Sequence, residues 1–182
     1  SHFLDVPNIR FWMGFSDHYI NVFTVLKNLG LLSEKPVRTA RGVEIVPLEV
    51  VKAVLPDPAS LAPGYTGKTC IGDLIKGTKD GQEKEVLLYN TCDHEECYKE
   101  VGSQAISYTA GVPAVAAAIL IANGTWDAKR MVNVEEQDPA PFIELMNNMG
   151  LVTRIKDEHG DRVLDPVQEQ SIREPEKKRA RA

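Results

Sequence analysis

The sequence predicts an α+β domain with a mixed, mainly antiparallel sheet flanked by helices. Three observations carry this. Residues 68–92 and 152–164 each read as two strand-like runs joined by a turn signal, Lys79-Asp80-Gly81 in the first and Glu158-His-Gly-Asp161 in the second. Helix-period segments with their own start and stop residues lie before and between them. No strand–helix–strand unit repeats, so strands and helices are segregated rather than alternating.

In chain order, Asn8 to Phe15 reads as a strand, rich in aromatic and branched residues. Ser16 or Asp17 then caps a helix running to about Leu29, where Gly30 fits the stop position. A second helix spans Pro47 to Leu55, with proline in its first turn, and Pro56-Asp-Pro58 ends it. Ala59 to Thr66 is a loop. The hairpin pairs Thr69–Gly77 with Glu83–Thr91, and the apolar Val86-Leu-Leu-Tyr-Asn90 marks the second strand as central. A helical region from Glu95 to about Ala122 follows, with Pro113 kinking it or starting a new helix. Ala114 to Ala122 is apolar on all faces, the pattern of a buried helix, and Asn123-Gly124 closes it. Pro139 to Met149 is an amphipathic helix stopped by Gly150, and the hairpin 152–164 completes the fold. Residues 1–165 are expected to form one domain and 166–182, polar throughout, a disordered tail.

Composition narrows the function. Twenty-one Lys and Arg against 26 Asp and Glu give a net charge of −5, which argues against a nucleic-acid binder. The longest apolar stretch, Ala110 to Ala122, falls short of the roughly 20 residues that span a bilayer. Three cysteines build no disulfide framework, and Ser1-His2-Phe3-Leu4-Asp5 has no signal-peptide character, so a cytoplasmic protein is expected. The opening at Ser1 in mid-segment suggests a piece of a longer chain.

Several motifs have plainer readings. Gly64-Tyr-Thr-Gly67-Lys68-Thr69 ends like a P-loop, but Ala62 stands where its first glycine belongs and the segment enters a strand, so it is read as a loop. No G-x-G-x-x-G occurs. Cys92-Asp-His94-Glu-Glu-Cys97 gathers two thiols and an imidazole, but only Cys70 and His159 remain as further zinc ligands and the spacing is irregular, so no metal is expected. A central strand ending in Asp93 and His94 before a helix is a place where enzymes put ligand groups; the competing reading is a polar strand exit with a satisfied histidine. Asn123-Gly-Thr125 reads as a helix-ending turn, and Lys177-Lys-Arg-Ala-Arg181 as a solvated tail. Glu135, Glu136 and Asp138 suit either a helix start or an ammonium-binding site.

At Arg10-Phe-Trp-Met-Gly-Phe15, at Leu55-Pro-Asp-Pro-Ala-Ser60, along Thr91 to Pro113 and at Asp138-Pro-Ala-Pro-Phe142, the sequence resembles the saccharopine dehydrogenase family, in its carboxynorspermidine-forming (carboxyspermidine-forming) branch. Thr109-Ala-Gly-Val-Pro113 matches the wider family's T-x-G-x-P helix entry. The resemblance implies the C-terminal substrate-binding and dimerisation domain of a cytoplasmic, homodimeric, NADP-dependent oxidoreductase acting on CH–NH. Its N-terminal Rossmann domain, which would bind NADPH, is absent from this chain, so the fragment is expected to be inactive alone. The implied reaction condenses L-aspartate semialdehyde with 1,3-diaminopropane or putrescine and reduces the imine, a step of polyamine synthesis.

The chemistry assigns residues within that frame. Arg10 is the fork for the amino-acid carboxylate. His94 shuttles protons near neutral pH, with Asp93 beside it. Asp93 or Glu100 pairs the remote ammonium or orients His94, Gln104, Tyr108 and Thr109 either hydrogen-bond substrate or satisfy a buried polar helix start, and Gly111 lets backbone approach the nicotinamide. Cys97 is packing. The partners are small molecules, with neither nucleic acid nor membrane, and the hairpin strands at 69–91 are a plausible dimer surface. The runners-up are saccharopine reduction in lysine metabolism and a non-catalytic metal-binding module.

Overall fold

The computed structural model describes residues 6–166. The chain divides into two compact units, residues 1–56 and 57–182. The expectations for residues 167–182, including the basic run at Lys177, lie outside the described residues.

In the first unit, residues 6–16 form no strand. This corrects the expectation for Asn8 to Phe15. Their composition suits a pleated surface, but a strand exists only against a partner ladder, and among the described residues this segment pairs with none. Helix α1 (Asp17–Asn28) begins where expected, with the Ser16 hydroxyl accepting from the Tyr19 amide at 3.2 Å. It ends before Gly30, whose φ of 73° is open to glycine. Phe15, Tyr19 and Phe23 stack along one side at centroid spacings of 4.5 and 6.2 Å. Two-residue strands β1 (Val37–Arg38) and β2 (Glu44–Ile45) pair antiparallel across a turn in which Thr39 Oγ1 both accepts from the Val43 amide and donates to its carbonyl. Helix α2 (Pro47–Val54) carries its proline in the first turn.

The second unit opens with a 3₁₀ turn, Pro58–Leu61, and builds a four-stranded antiparallel sheet in the order β3-β4-β5-β6. Strands β3 (Lys68–Lys79) and β4 (Gln82–Asp93) pair one-to-one over their whole length. Asp80 and Gly81, at φ 54° and 75°, make the two-residue turn whose twist suits a hairpin. The central position of β4 is as expected: β5 (Thr153–Asp157) flanks it on the other side, and β6 (Gly160–Val163) pairs with β5. Gly72 lies so close to β4 that a Cβ would stand 2.4 Å from the Leu88 carbonyl oxygen.

After β4 the chain turns directly into α3 (His94–Val101), then α4 (Ala105–Ala122). The break falls at Gly102, φ 66°, whose amide closes on the Tyr98 carbonyl, and Pro113 lies inside α4. The alternative in which Pro113 starts a new helix is therefore corrected. An αL glycine ends a helix, whereas one proline removes a single hydrogen bond, here the one to the Thr109 carbonyl, and the helix carries on. The burial expected all round Ala114–Ala122 is also corrected. Ala105, Thr109, Val112, Ala116 and Leu120 form one buried stripe, while Val115, Ile119 and Ile121 on the other side are exposed. By length and composition alone α4 would cross a membrane, but its stripe packs on protein. Helix α5 (Pro139–Asn148) crosses it, and Val112, Ala116, Met146 and Leu151 make the core, with Tyr108, Phe142, Leu145 and Met149 packed around. The fold class, α+β with antiparallel sheets and flanking helices, is as expected.

Candidate functional site

The end of β4 positions most of the residues singled out from the sequence. Asp93 is the N-cap of α3: its Oδ1 accepts from the amides of Glu95 and Glu96 at 2.9 and 3.2 Å. The bond from the Glu96 amide is the main reason its carboxyl lies below the usual range, and the Lys68 ammonium 3.8 Å away adds to it. His94 is 5% exposed and edge-on to Tyr65, ring centroids 4.7 Å apart. Its Nδ1 accepts from the amide of Ala105, the first residue of α4, at 3.3 Å, and its own amide donates to the Gly67 carbonyl. With Nδ1 accepting, the neutral ring carries its proton on Nε2.

His94 thus has its Nδ1 hydrogen-bonded and occupies the turn where β4, α3 and α4 meet. Gln104 precedes α4 and donates to the Pro58 carbonyl at 3.0 Å, tying the 3₁₀ turn to the same place. Tyr108 donates to the Met149 carbonyl at 2.6 Å and stands 3.5 Å from Glu100. Burial, then the Glu100 charge, raises its hydroxyl above the ordinary value. Thr109 is buried and donates to the Ile106 carbonyl. Cys92 is pushed up to about 11 by burial and then by Cys97, so both thiols stay protonated near neutral pH, Cys97 as packing.

Two further candidates remain. Arg10 belongs to the first unit, exposed on the irregular segment rather than on a strand. Gly111 lies within α4 with nothing within 4 Å of an added Cβ. It therefore lines no tight cradle, and the described residues offer no strand-to-helix glycine turn for a dinucleotide. These residues do not fit NADPH by themselves.

Asp138 caps α5, and Glu136 belongs to the cap of the 3₁₀ turn Val134–Glu136 before it. Asp138 accepts from the Ala140 amide, and Glu136 closes a capping box with Asn133 while pairing with Arg130 at 2.7 Å. The Trp126 indole donates to the Asp138 carbonyl and stacks on Phe142. Sequence reasoning missed the cleft beside this turn. It holds about 640 Å³ between the sheet and α5, over Ile75, Val86, Leu88, Ile143 and Ile155, and Asp138 lines it. Its charged rim is internally paired: Arg162 forks onto Asp157 at 2.8 and 3.1 Å, and Lys84 pairs with Glu158. The available signal was Asp138-Pro-Ala-Pro-Phe142, part of the resemblance already noted.

Comparison with known proteins places these elements. The saccharopine dehydrogenase C-terminal domain matches residues 1–151, most of the chain. The chain belongs to this family. It is 52% identical over 149 residues to a carboxynorspermidine synthase of Vibrio alginolyticus, which covers 82% of this chain and 36% of that protein. It is 48% identical, with the same coverage, to a carboxynorspermidine synthase of Vibrio cholerae. It is also 52% identical to a carboxyaminopropylagmatine dehydrogenase of Synechocystis over 142 residues, 78% of this chain and 35% of that one. The saccharopine dehydrogenase domain described here thus spans about a third of the length of these relatives.

Proposed function

We propose that the protein containing this chain is an NADPH-dependent oxidoreductase of polyamine biosynthesis, which condenses L-aspartate semialdehyde with an amine and reduces the imine. The 52% identity to a carboxynorspermidine synthase over most of the chain carries the reading. The third relative's name supports it: a carboxyaminopropyl group joined to agmatine is the same semialdehyde-derived unit on a different amine. The amine is therefore 1,3-diaminopropane, putrescine or agmatine. The parent supplies NADPH binding outside this chain, works as a cytoplasmic homodimer, and engages neither nucleic acid nor membrane.

In this reading the chain's own groups bind and move protons. His94, held at Nδ1 by the Ala105 amide, exchanges a proton at Nε2 as water leaves the carbinolamine. Asp93, kept ionised by its cap bonds, orients His94 or pairs an ammonium, with Glu100 nearby on α3. Arg10 holds the amino-acid carboxylate. Gln104, Tyr108 and Thr109 build the floor under the turn, and Gly111 leaves α4 open to a flat ring.

The test is NADPH oxidation by the parent protein with aspartate semialdehyde and each amine or none. Amine-dependent oxidation is expected, and the preferred amine names the product. Turnover only on 2-aminoadipate semialdehyde with glutamate would move the parent to saccharopine chemistry.

A further inference from the structure

Residues 62–67 lie against His94 because the sheet register puts them there. Lys68 opens β3 opposite Asp93, so Gly67, one residue earlier, falls beside His94 and its carbonyl accepts the His94 amide at 3.0 Å. The other end of the segment is anchored too. Ala62 is buried, and the 3₁₀ turn before it is tied down by Gln104 through the Pro58 carbonyl. Between these anchors Gly64 and Gly67, at φ 76° and 96°, take left-handed conformations on either side of Tyr65 and Thr66. The chain thus turns in around one aromatic ring, which meets the His94 imidazole with centroids 4.7 Å apart and planes at 66°.

We propose that Tyr65 is a positioning residue for His94: its ring holds the imidazole in the orientation that keeps Nδ1 on the Ala105 amide and leaves the proton on Nε2. This deepens the proposed function and rests on the proton exchange assigned there to His94.

The first restraint on the imidazole shows why a second is needed. The Ala105 amide reaches Nδ1 at 3.3 Å, long for an amide donor, and one such bond leaves the ring free to tilt about it. An edge-to-face aromatic contact is directional, so the Tyr65 ring limits that tilt. The ring does this without its hydroxyl, which makes no hydrogen bond among the described residues. Nor is Tyr65 placed there to fill a core, since it is 48% exposed. What the segment buries is the histidine, at 5% exposure.

The test uses the parent protein with ¹⁵N-labelled histidine, His94 being assigned by the signals lost in His94→Gln. In the neutral ring, nuclear magnetic resonance should show Nε2 protonated and Nδ1 not. Tyr65→Phe keeps the ring and should keep both that signature and the wild-type kcat. Tyr65→Leu fills much of the same space without a ring. It should mix the two tautomers and lower kcat about tenfold with KM within about twofold, the pattern of a misplaced reacting group rather than a lost binding contact. Should leucine prevent folding, Tyr65→Met is read in its place. A folded ringless variant whose His94 nitrogens match wild type overturns the proposal. So does an equal change in Tyr65→Phe, which would assign the effect to the hydroxyl. The spectra need no turnover. A parent inactive with every amine but with one His94 tautomer, lost in Tyr65→Leu, would sink the proposed function alone, and an active parent whose tautomer ignores Tyr65→Leu would sink this role alone.

Discussion

His94 joins two helices through one nitrogen, because the Ala105 amide, on a fully buried residue, has the Nδ1 atom as its partner. Replacing His94 with alanine strands that amide, which costs about 1–3 kcal/mol for a buried donor. His94→Ala should lower the urea midpoint of the chain correspondingly; an unchanged midpoint would mean that the turn does not depend on the ring. Asp93 beside it makes a pH prediction. Its carboxyl is held below the ordinary value, first by the Glu96 amide, so it stabilises the fold above about pH 4 and loses that contribution as pH falls towards its lowered value. Asp93→Asn keeps a cap acceptor but cannot titrate. Its stability should therefore fall less steeply than wild type between pH 6 and pH 3 in denaturant titrations; parallel slopes would count against the capped carboxylate. The residue types at this strand end were legible in the sequence. Their partners were not, since the Gln104 and Tyr108 bonds run to carbonyls of Pro58 and Met149 that are far along the chain.

Elements defined by local chemistry came through most clearly. The Asp80-Gly81 turn needs two positive φ angles, and the residues that tolerate them are written into the sequence. Gly81→Val should cost about 1–2 kcal/mol from left-handed strain and lower the melting temperature, with the spectrum of the folded chain retained. An unaltered melting temperature would contradict the turn. The helix break was harder to read, because Pro113 is the stronger sequence signal and Gly102 the stronger structural one. Gly102 sits where a polar helix hands over to an apolar one, and that shift of composition marks the break. The half-exposure of α4 was hidden for a related reason. Alanine-rich sequence is apolar on every side, so periodicity cannot show which stripe, here Ala105 to Leu120, meets α5 and the sheet.

At the scale of the whole molecule, the sequence carried the family through the run from Thr91 to Pro113, which spans the end of β4, α3 and the first half of α4. It did not carry the cleft beside Asp138, which arises where the sheet and α5 face each other. The most direct measurement is mass spectrometry of the product formed from aspartate semialdehyde, 1,3-diaminopropane and NADPH. The expected product is a secondary amine joining the two substrates, heavier by one mass unit when the hydride comes from 4-deuterated NADPH of the transferred face. Recovery of the reduced semialdehyde alone, with the diamine returned unchanged, would contradict it.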